Sequence, residues 1–177
     1  PRQIPVYSAL GEAFLAQGKV DSAIFYVEQA RILAPSSSAV YSSLGFLYLQ
    51  TGEVERARAE LERALELDEK NPEAHRLYGF YYAQKDSIDR AIEHYQRLSE
   101  LLPEEVEAFN NIGFLYANTQ RYNEALEYYK RAKDLAQDPY LAQSIQANLD
   151  GVRALIAGKM RARYILFKTM QAARDVL

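Results

Sequence analysis

Residues 41–57 read YSSLGFLYLQTGEVERA, and the same arrangement of residues returns twice further along the chain. Residues 75–91 read HRLYGFYYAQKDSIDRA, and residues 109–125 read FNNIGFLYANTQRYNEA. An earlier and more divergent copy occupies residues 7–23, YSALGEAFLAQGKVDSA. Each copy starts 34 residues after the previous one, and four copies in one register indicate a tandem repeat.

Within each copy, the apolar residues follow one face of a helix. The copies are residues 4–37, 38–71, 72–105 and 106–139, and in each the first apolar set stands at repeat positions 4, 7, 8 and 11. This i, i+3, i+4, i+7 spacing predicts a helix. Glycine at position 8 and alanine at position 20 let a second helix cross closely, and short polar segments such as Gln17-Gly18-Lys19 predict the turn between the two. Each copy is therefore predicted to be a helical hairpin that stacks on its neighbours.

In these residues the chain resembles the tetratricopeptide repeat family, whose unit reads aromatic, two residues, Leu-Gly, two residues, Tyr, and later Ala and Pro. The first two copies match at Tyr7, Leu10, Gly11, Phe14, Ala23, Ala30 and Pro35, and at Tyr41, Leu44, Gly45, Tyr48, Ala57 and Ala64. The last two match at Gly79, Tyr82, Ala91 and Pro103, and at Phe109, Ile112, Gly113, Tyr116, Ala125 and Ala132. The departures are Glu69, His75, Tyr78 and Leu98. The resemblance covers 136 of 177 residues and implies an all-α, right-handed solenoid with a concave side.

The composition narrows the class of function. Hydrophobic residues make up 49% and charged residues 25%, which is typical of a globular protein. No apolar run is long enough to span a membrane, so no direct insertion is expected. The chain has no Cys and only two His, and it lacks HExxH, GxSxG and glycine-rich phosphate-loop patterns. It is therefore predicted not to be an enzyme and to carry no metal and no cofactor.

Charge is distributed unevenly along the chain. Residues 1–139 contain 15 basic and 22 acidic residues, whereas residues 140–177 contain 6 and 2. The acidic repeats argue against a nucleic-acid partner. Members of the family that bind acidic chaperone tails use a clamp of Lys, Asn and Arg, and Ser8 and Glu12 stand at its first two positions, so that ligand is not expected either. The chain starts at Pro1, and its localisation stays open: the cytoplasm is favoured, with a periplasmic or membrane-associated location expected if a leader was removed.

The last segment, residues 140–177, is predicted to cap the repeat array of residues 4–139. One helical face is formed by Leu141, Ile145, Leu149, Val152 and Ile156. Gly158 predicts a bend, followed by a second capping helix over 159–177. That helix mixes basic residues with apolar ones on several sides, which suggests either packing or a contact with a second copy of the protein or with a continuation of the chain.

The first helix of each hairpin has a second face, opposite the packed one, which is predicted to line the concave groove. At repeat position 9 it carries Glu12 and then Phe46, Phe80 and Phe114, and at position 13 it carries the amides Gln50, Gln84 and Asn118. Position 5 adds Ser42, Arg76 and Asn110. His75, by contrast, stands where the repeat has a core aromatic residue, and His94 is predicted to be half-buried or solvated on a second helix.

These residues predict a protein-interaction module. The phenylalanines would bind an apolar or aromatic peptide segment or helix of another protein, and the amides together with Arg76 would fix its orientation. Two alternatives stay open. In one, the rings simply pack between successive helices. In the other, the protein is a self-associating scaffold whose groove is filled by its own C-terminal helix or by a neighbouring subunit.

Overall fold

The computed structural model describes the backbone of residues 3–174 and the side chains of residues 6–165, and this part of the chain is all-α. Its nine helices are α1 (Gln3–Ala16), α2 (Val20–Leu33), α3 (Ser38–Gln50), α4 (Val54–Leu67), α5 (Pro72–Gln84), α6 (Ile88–Leu101), α7 (Val106–Asn118), α8 (Tyr122–Leu135) and α9 (Pro139–Arg174). Helices α3, α5 and α7 start 34 residues apart, as do α2, α4, α6 and α8. The prediction of an all-α helical-repeat solenoid is confirmed.

Small residues allow the two helices of each hairpin to touch. A Cβ atom added to Gly45 of α3 would lie 2.6 Å from Cδ2 of Leu61 on α4. In the next hairpin, a Cβ on Gly79 would lie 2.7 Å from Cε1 of Tyr95. Both distances are far below van der Waals contact, so even an alanine at these positions would force the facing side chain to shift.

The turns inside the hairpins share one backbone conformation. Gly18 and Gly52 adopt φ values of 72° and 77°, in the left-handed region that glycine tolerates. The equivalent residues in the last two hairpins are Asp86 and Gln120, with φ values of 55° and 62°. The turn is therefore retained even where its residue is not glycine.

The chain divides into two compact units after Pro103. The first unit contains α1 to α6, and its core includes Leu44, Leu61 and Leu98, none of which is exposed. The second contains α7 to α9 and buries Ile112 and Ile145. The proposed division into a repeat array of residues 4–139 and a cap of residues 140–177 remains a prediction.

The predicted bend at Gly158 is wrong, because α9 continues without a break to Arg174. One glycine costs a helix only about 1 kcal/mol relative to alanine, and its neighbours Ala157 and Lys159 are strong helix formers. The two predicted capping helices are thus a single helix, which packs against α8. Residues 175–177 of the predicted second helix lie outside the described residues. Among the described helices, none is both long and apolar enough to cross a membrane.

Asn71 joins the second and third hairpins through a buried polar network. Its Oδ1 accepts a hydrogen bond of 3.0 Å from the backbone N–H of Ala74 and so caps α5. Its Nδ2 donates to Oγ of Ser38 and, over 2.8 Å, to Oγ of Ser42. Ser38 in turn donates to the carbonyl oxygen of Ala64. A single side chain therefore connects α3, α4 and α5.

Replacing Asn71 with alanine should lower the free energy of unfolding by about 2 kcal/mol, because it removes a helix cap and leaves the buried hydroxyl of Ser42 without its donor. Urea denaturation followed by circular dichroism measures this change. Asn123→Ala, at an exposed asparagine of α8, is the matched control and should change stability by less than about 0.5 kcal/mol. Equal effects of the two substitutions would contradict the role given to Asn71.

Candidate functional site

In the first unit, α1, α3 and α5 present one side to a shared cavity of about 260 Å³. We call this side the groove face. It is formed by Ser8, Glu12 and Leu15 of α1, by Ser43, Phe46 and Gln50 of α3, and by Glu73, Arg76, Phe80 and Gln84 of α5. The cavity itself is bordered by Leu15 and Phe46 and by the carboxylates Glu12 and Glu73. An apolar floor with acidic sides is thus the chemical character of the site.

Phe46 and Phe80 differ in how far they are available to a ligand. Phe46 is half-buried and packs against the core cluster of Leu61 and Leu77, although one side of its ring borders the cavity. Phe80 is 44% exposed. It stands seven residues after Glu73, two turns along the same side of α5, about 10 Å from it along the helix axis. Phe80 therefore offers apolar surface to solvent on the face where Glu73 borders the cavity.

The polar residues of the groove face surround these rings. Gln50 and Gln84 are exposed near the ends of their helices, and Glu12 is exposed beside the cavity. Nε of Arg76 lies 3.3 Å from a carboxylate oxygen of Glu73. The face thus offers amides for hydrogen bonding and one cation that is already paired with a carboxylate.

Ser42, one of the predicted ligand-binding residues, is buried and hydrogen-bonded within the protein. It is 1% exposed, donates to the carbonyl oxygen of Ser38, and accepts from Asn71. Its hydroxyl therefore serves the junction between hairpins, even though the residue borders the cavity floor. The next residue, Ser43, is exposed instead. Neighbouring residues of a helix point about 100° apart, and the hydrophobic spacing of the sequence alone does not show which of the two serines faces the groove.

Three of the predicted residues lie in the second unit, on α7. Phe114 is 53% exposed and Asn118 is also exposed. Oδ1 of Asn110 accepts a hydrogen bond of 3.4 Å from Nδ2 of Asn148 on α9. Phe114 and Asn118 are therefore accessible, whereas Asn110 is already engaged by the last helix.

The two histidines form a hydrogen-bonded pair in which His75 is buried and His94 is half-buried. The prediction of a core position for His75 is confirmed by its 6% exposure. Nε2 of His75 lies 3.0 Å from the carbonyl oxygen of Glu69 and must donate to it, so Nδ1 accepts from Nδ1 of His94 at 3.1 Å. His94 is half-buried, as predicted, and its ring stacks on Tyr78 and Tyr82. Burial, assisted by the neighbouring His75, lowers the pKa of His94 to about 4.

Sequence reasoning missed an apolar patch on α2. Phe25 is 59% exposed and Ile32 is 69% exposed. The other hairpins carry Ala59, Glu93 and Glu127 at the position of Phe25, and Glu66, Glu100 and Asp134 at the position of Ile32. An alignment of the second helices of the four copies would have shown that α2 carries large apolar residues where the other copies carry mostly acidic ones. Within the described residues, no group of three or more potential ligands could hold a metal ion.

Family models of the tetratricopeptide repeat match residues 14–79 and 106–139, together more than half of the chain. No curated protein sequence matches it. Among solved structures, MamA is similar, with 26% identity, a TM-score of 0.67, and coverage of 75% of this chain and 77% of MamA. YrrB, described as a TPR protein with an unusual peptide-binding site, has 25% identity and a TM-score of 0.66, with coverage of 81% and 74%. PilF of Pseudomonas aeruginosa shares the fold, with a TM-score of 0.80 at 21% identity and coverage of 92% and 73%.

Proposed function

Since the chain belongs to the tetratricopeptide repeat family, we propose that its groove face binds an apolar or aromatic segment of a partner protein. Repeat proteins of this family are protein-interaction modules, typically without catalytic activity, and we propose no catalysis for this chain. The acidic character of residues 1–139 favours a protein over a nucleic acid as the partner.

The observation that carries the proposal is the exposure of Phe80. Burying a phenylalanine side chain contributes about 1.5–3 kcal/mol, so a ring that is 44% exposed in the free protein leaves part of this energy for a ligand. The apolar floor formed by Leu15 and Phe46 continues the surface toward α1. A partner that covers this floor and Phe80 together would gain several such contacts.

The dimensions of the face limit the size of the ligand. Neighbouring helices pack roughly 8–10 Å apart, so a ligand that crosses α1, α3 and α5 spans roughly 20 Å. That distance corresponds to about six residues of extended chain or about thirteen residues of helix. Gln50 and Gln84 supply donors and acceptors for an extended backbone or for the polar side of a helix. YrrB, which is described as having a peptide-binding site, supports a peptide segment as the ligand.

Phage display of random peptides on the intact chain tests the proposal, followed by titration of the selected peptides with two variants. Phe80→Glu should weaken the binding of these peptides about tenfold or more, since it places a charge where an apolar side chain is buried. Phe25→Glu is the matched control, because it alters an exposed phenylalanine on α2, outside the groove face, and should leave binding unchanged. Binding that survives Phe80→Glu, or is lost in Phe25→Glu alone, would overturn the proposal.

A further inference from the structure

We infer that the groove face of one molecule accepts the segment of α9 around Met160 and Tyr164 from a second copy of the chain. This inference rests on the proposed function and names an occupant for the same site. It joins two surfaces that are both apolar at their centre and opposite in charge at their edges.

The first of these surfaces arises because α9 is much longer than its partner helix. At 1.5 Å per residue, the 36 residues of α9 extend about 54 Å, whereas the 14 residues of α8 extend about 21 Å. Ile145, Leu149 and Val152 are buried. The packing loosens at the start of α8, where Lys159 donates to Gln120 and a shallow cavity of about 340 Å³ opens.

Along the edge of this cavity, which Met160 and Arg163 also border, α9 exposes an apolar ridge between cations. Met160 is 67% exposed and Tyr164 is 61% exposed, and being four residues apart they share one side of the helix. Arg161 and Arg163, both exposed, lie about 80° to either side of this ridge at 100° per residue. No acidic residue occurs anywhere in residues 151–174. The side chains of residues 166–177, which the sequence analysis included in this contact, lie outside the described ones.

The groove face has the complementary arrangement. Its middle helix, α3, contributes Phe46 to the cavity, and the outer helices contribute Glu12 from α1 and Glu73 from α5. No basic side chain borders this cavity, although Arg76 of the groove face lies beside Glu73, with its Nε 3.3 Å from a carboxylate oxygen. An amphipathic helix placed along it would set Met160 and Tyr164 against the apolar floor and its two arginines toward the two carboxylates, which is the helix-in-groove mode of recognition.

Each molecule would then offer one groove and one helix to different neighbours. Such a head-to-tail contact is heterologous, so it produces rings if the rotation closes and open chains if it does not. Because the contact pairs charges near solvent, salt should weaken it.

Sedimentation velocity over a hundredfold range of concentration, at low and high salt, tests the inference by charge exchange. The intact chain should associate. One double variant reverses the charges on α9 (Arg161→Glu with Arg163→Glu), and the other reverses those of the groove (Glu12→Arg with Glu73→Arg). Each double variant should weaken association about tenfold or more. Mixing the two double variants, or combining all four substitutions in one chain, should restore it. Lys130→Glu with Arg153→Glu, which makes the same charge change away from Met160 and Tyr164, should leave association unchanged. Circular dichroism checks that each variant is folded.

Two results would overturn the inference: an intact chain that is monomeric at every concentration, or association that the exchanged charges do not restore. Neither result by itself contradicts the proposed function, because the peptide titrations with Phe80→Glu test that function independently. If those peptides still require Phe80, the groove binds a foreign segment. If they do not, both the proposed peptide-binding function of the groove and the inference about α9 are overturned.

Discussion

Replacing Leu61 with alanine is expected to lower the free energy of unfolding of the first unit by about 3 kcal/mol. Leu61 is not exposed at all, and it packs against Gly45 inside its own hairpin. It also belongs to a cluster with Leu77, Tyr78 and Tyr81 of the next hairpin. Truncation therefore removes contacts within a repeat and between repeats at the same time. Gly45, which faces Leu61, has no side chain that could fill the space left behind.

Urea denaturation monitored by circular dichroism measures this loss, with Leu33→Ala as the control. Leu33 is 44% exposed on α2, so the same truncation there should cost less than about 1 kcal/mol. A protein whose stability falls equally in the two variants would not have the close contact at Leu61 that the repeat packing requires.

Acidification is expected to destabilise the protein by about 3 kcal/mol through His94 alone. The pKa of His94 is about 4 in the folded chain against 6.5 for an ordinary histidine, because it is buried beside His75. The unfolded chain therefore binds this proton more readily, and the linked stability is fully present above pH 6.5. It is lost as the pH falls from 6.5 to about 4.

Comparison with His94→Tyr isolates this contribution from that of the carboxylates. Tyrosine is the residue that the first and fourth hairpins carry at this position, as Tyr26 and Tyr128. The difference in unfolding free energy between the two proteins, measured at a series of pH values, should change by about 3 kcal/mol between pH 6.5 and 4 and stay constant above that interval. A difference that does not vary with pH would mean that His94 is not buried in its neutral form.

The helical hairpins could be predicted from the sequence because their determinants are local and repeated four times. Glycine and alanine at fixed positions mark where the helices cross, and Gly18 and Gly52 mark the turns. The bend at Gly158 was predicted wrongly, since a glycine ends a helix only where other contacts favour the end.

The candidate site was less accessible to sequence reasoning. The helical phase placed Phe80 and Gln84 on an exposed face, but it did not distinguish buried Ser42 from exposed Ser43. The partner of Ser42 is Asn71, which comes from the junction with the next hairpin. The cavity between Glu12, Phe46 and Glu73 likewise depends on side chains from three helices. Such contacts follow from tertiary packing, which repeat spacing does not specify.

Photo-cross-linking tests the central claim most directly, namely that the groove face is the binding surface. Phe80→p-benzoylphenylalanine places a photoreactive ring at the most exposed phenylalanine of that face, and Phe25→p-benzoylphenylalanine places it on α2. The two proteins are irradiated with the peptides selected on the intact chain, and cross-linked residues are identified by mass spectrometry. We expect cross-links to the peptides from position 80 and none from position 25. Cross-links from position 25 with none from position 80 would contradict the account.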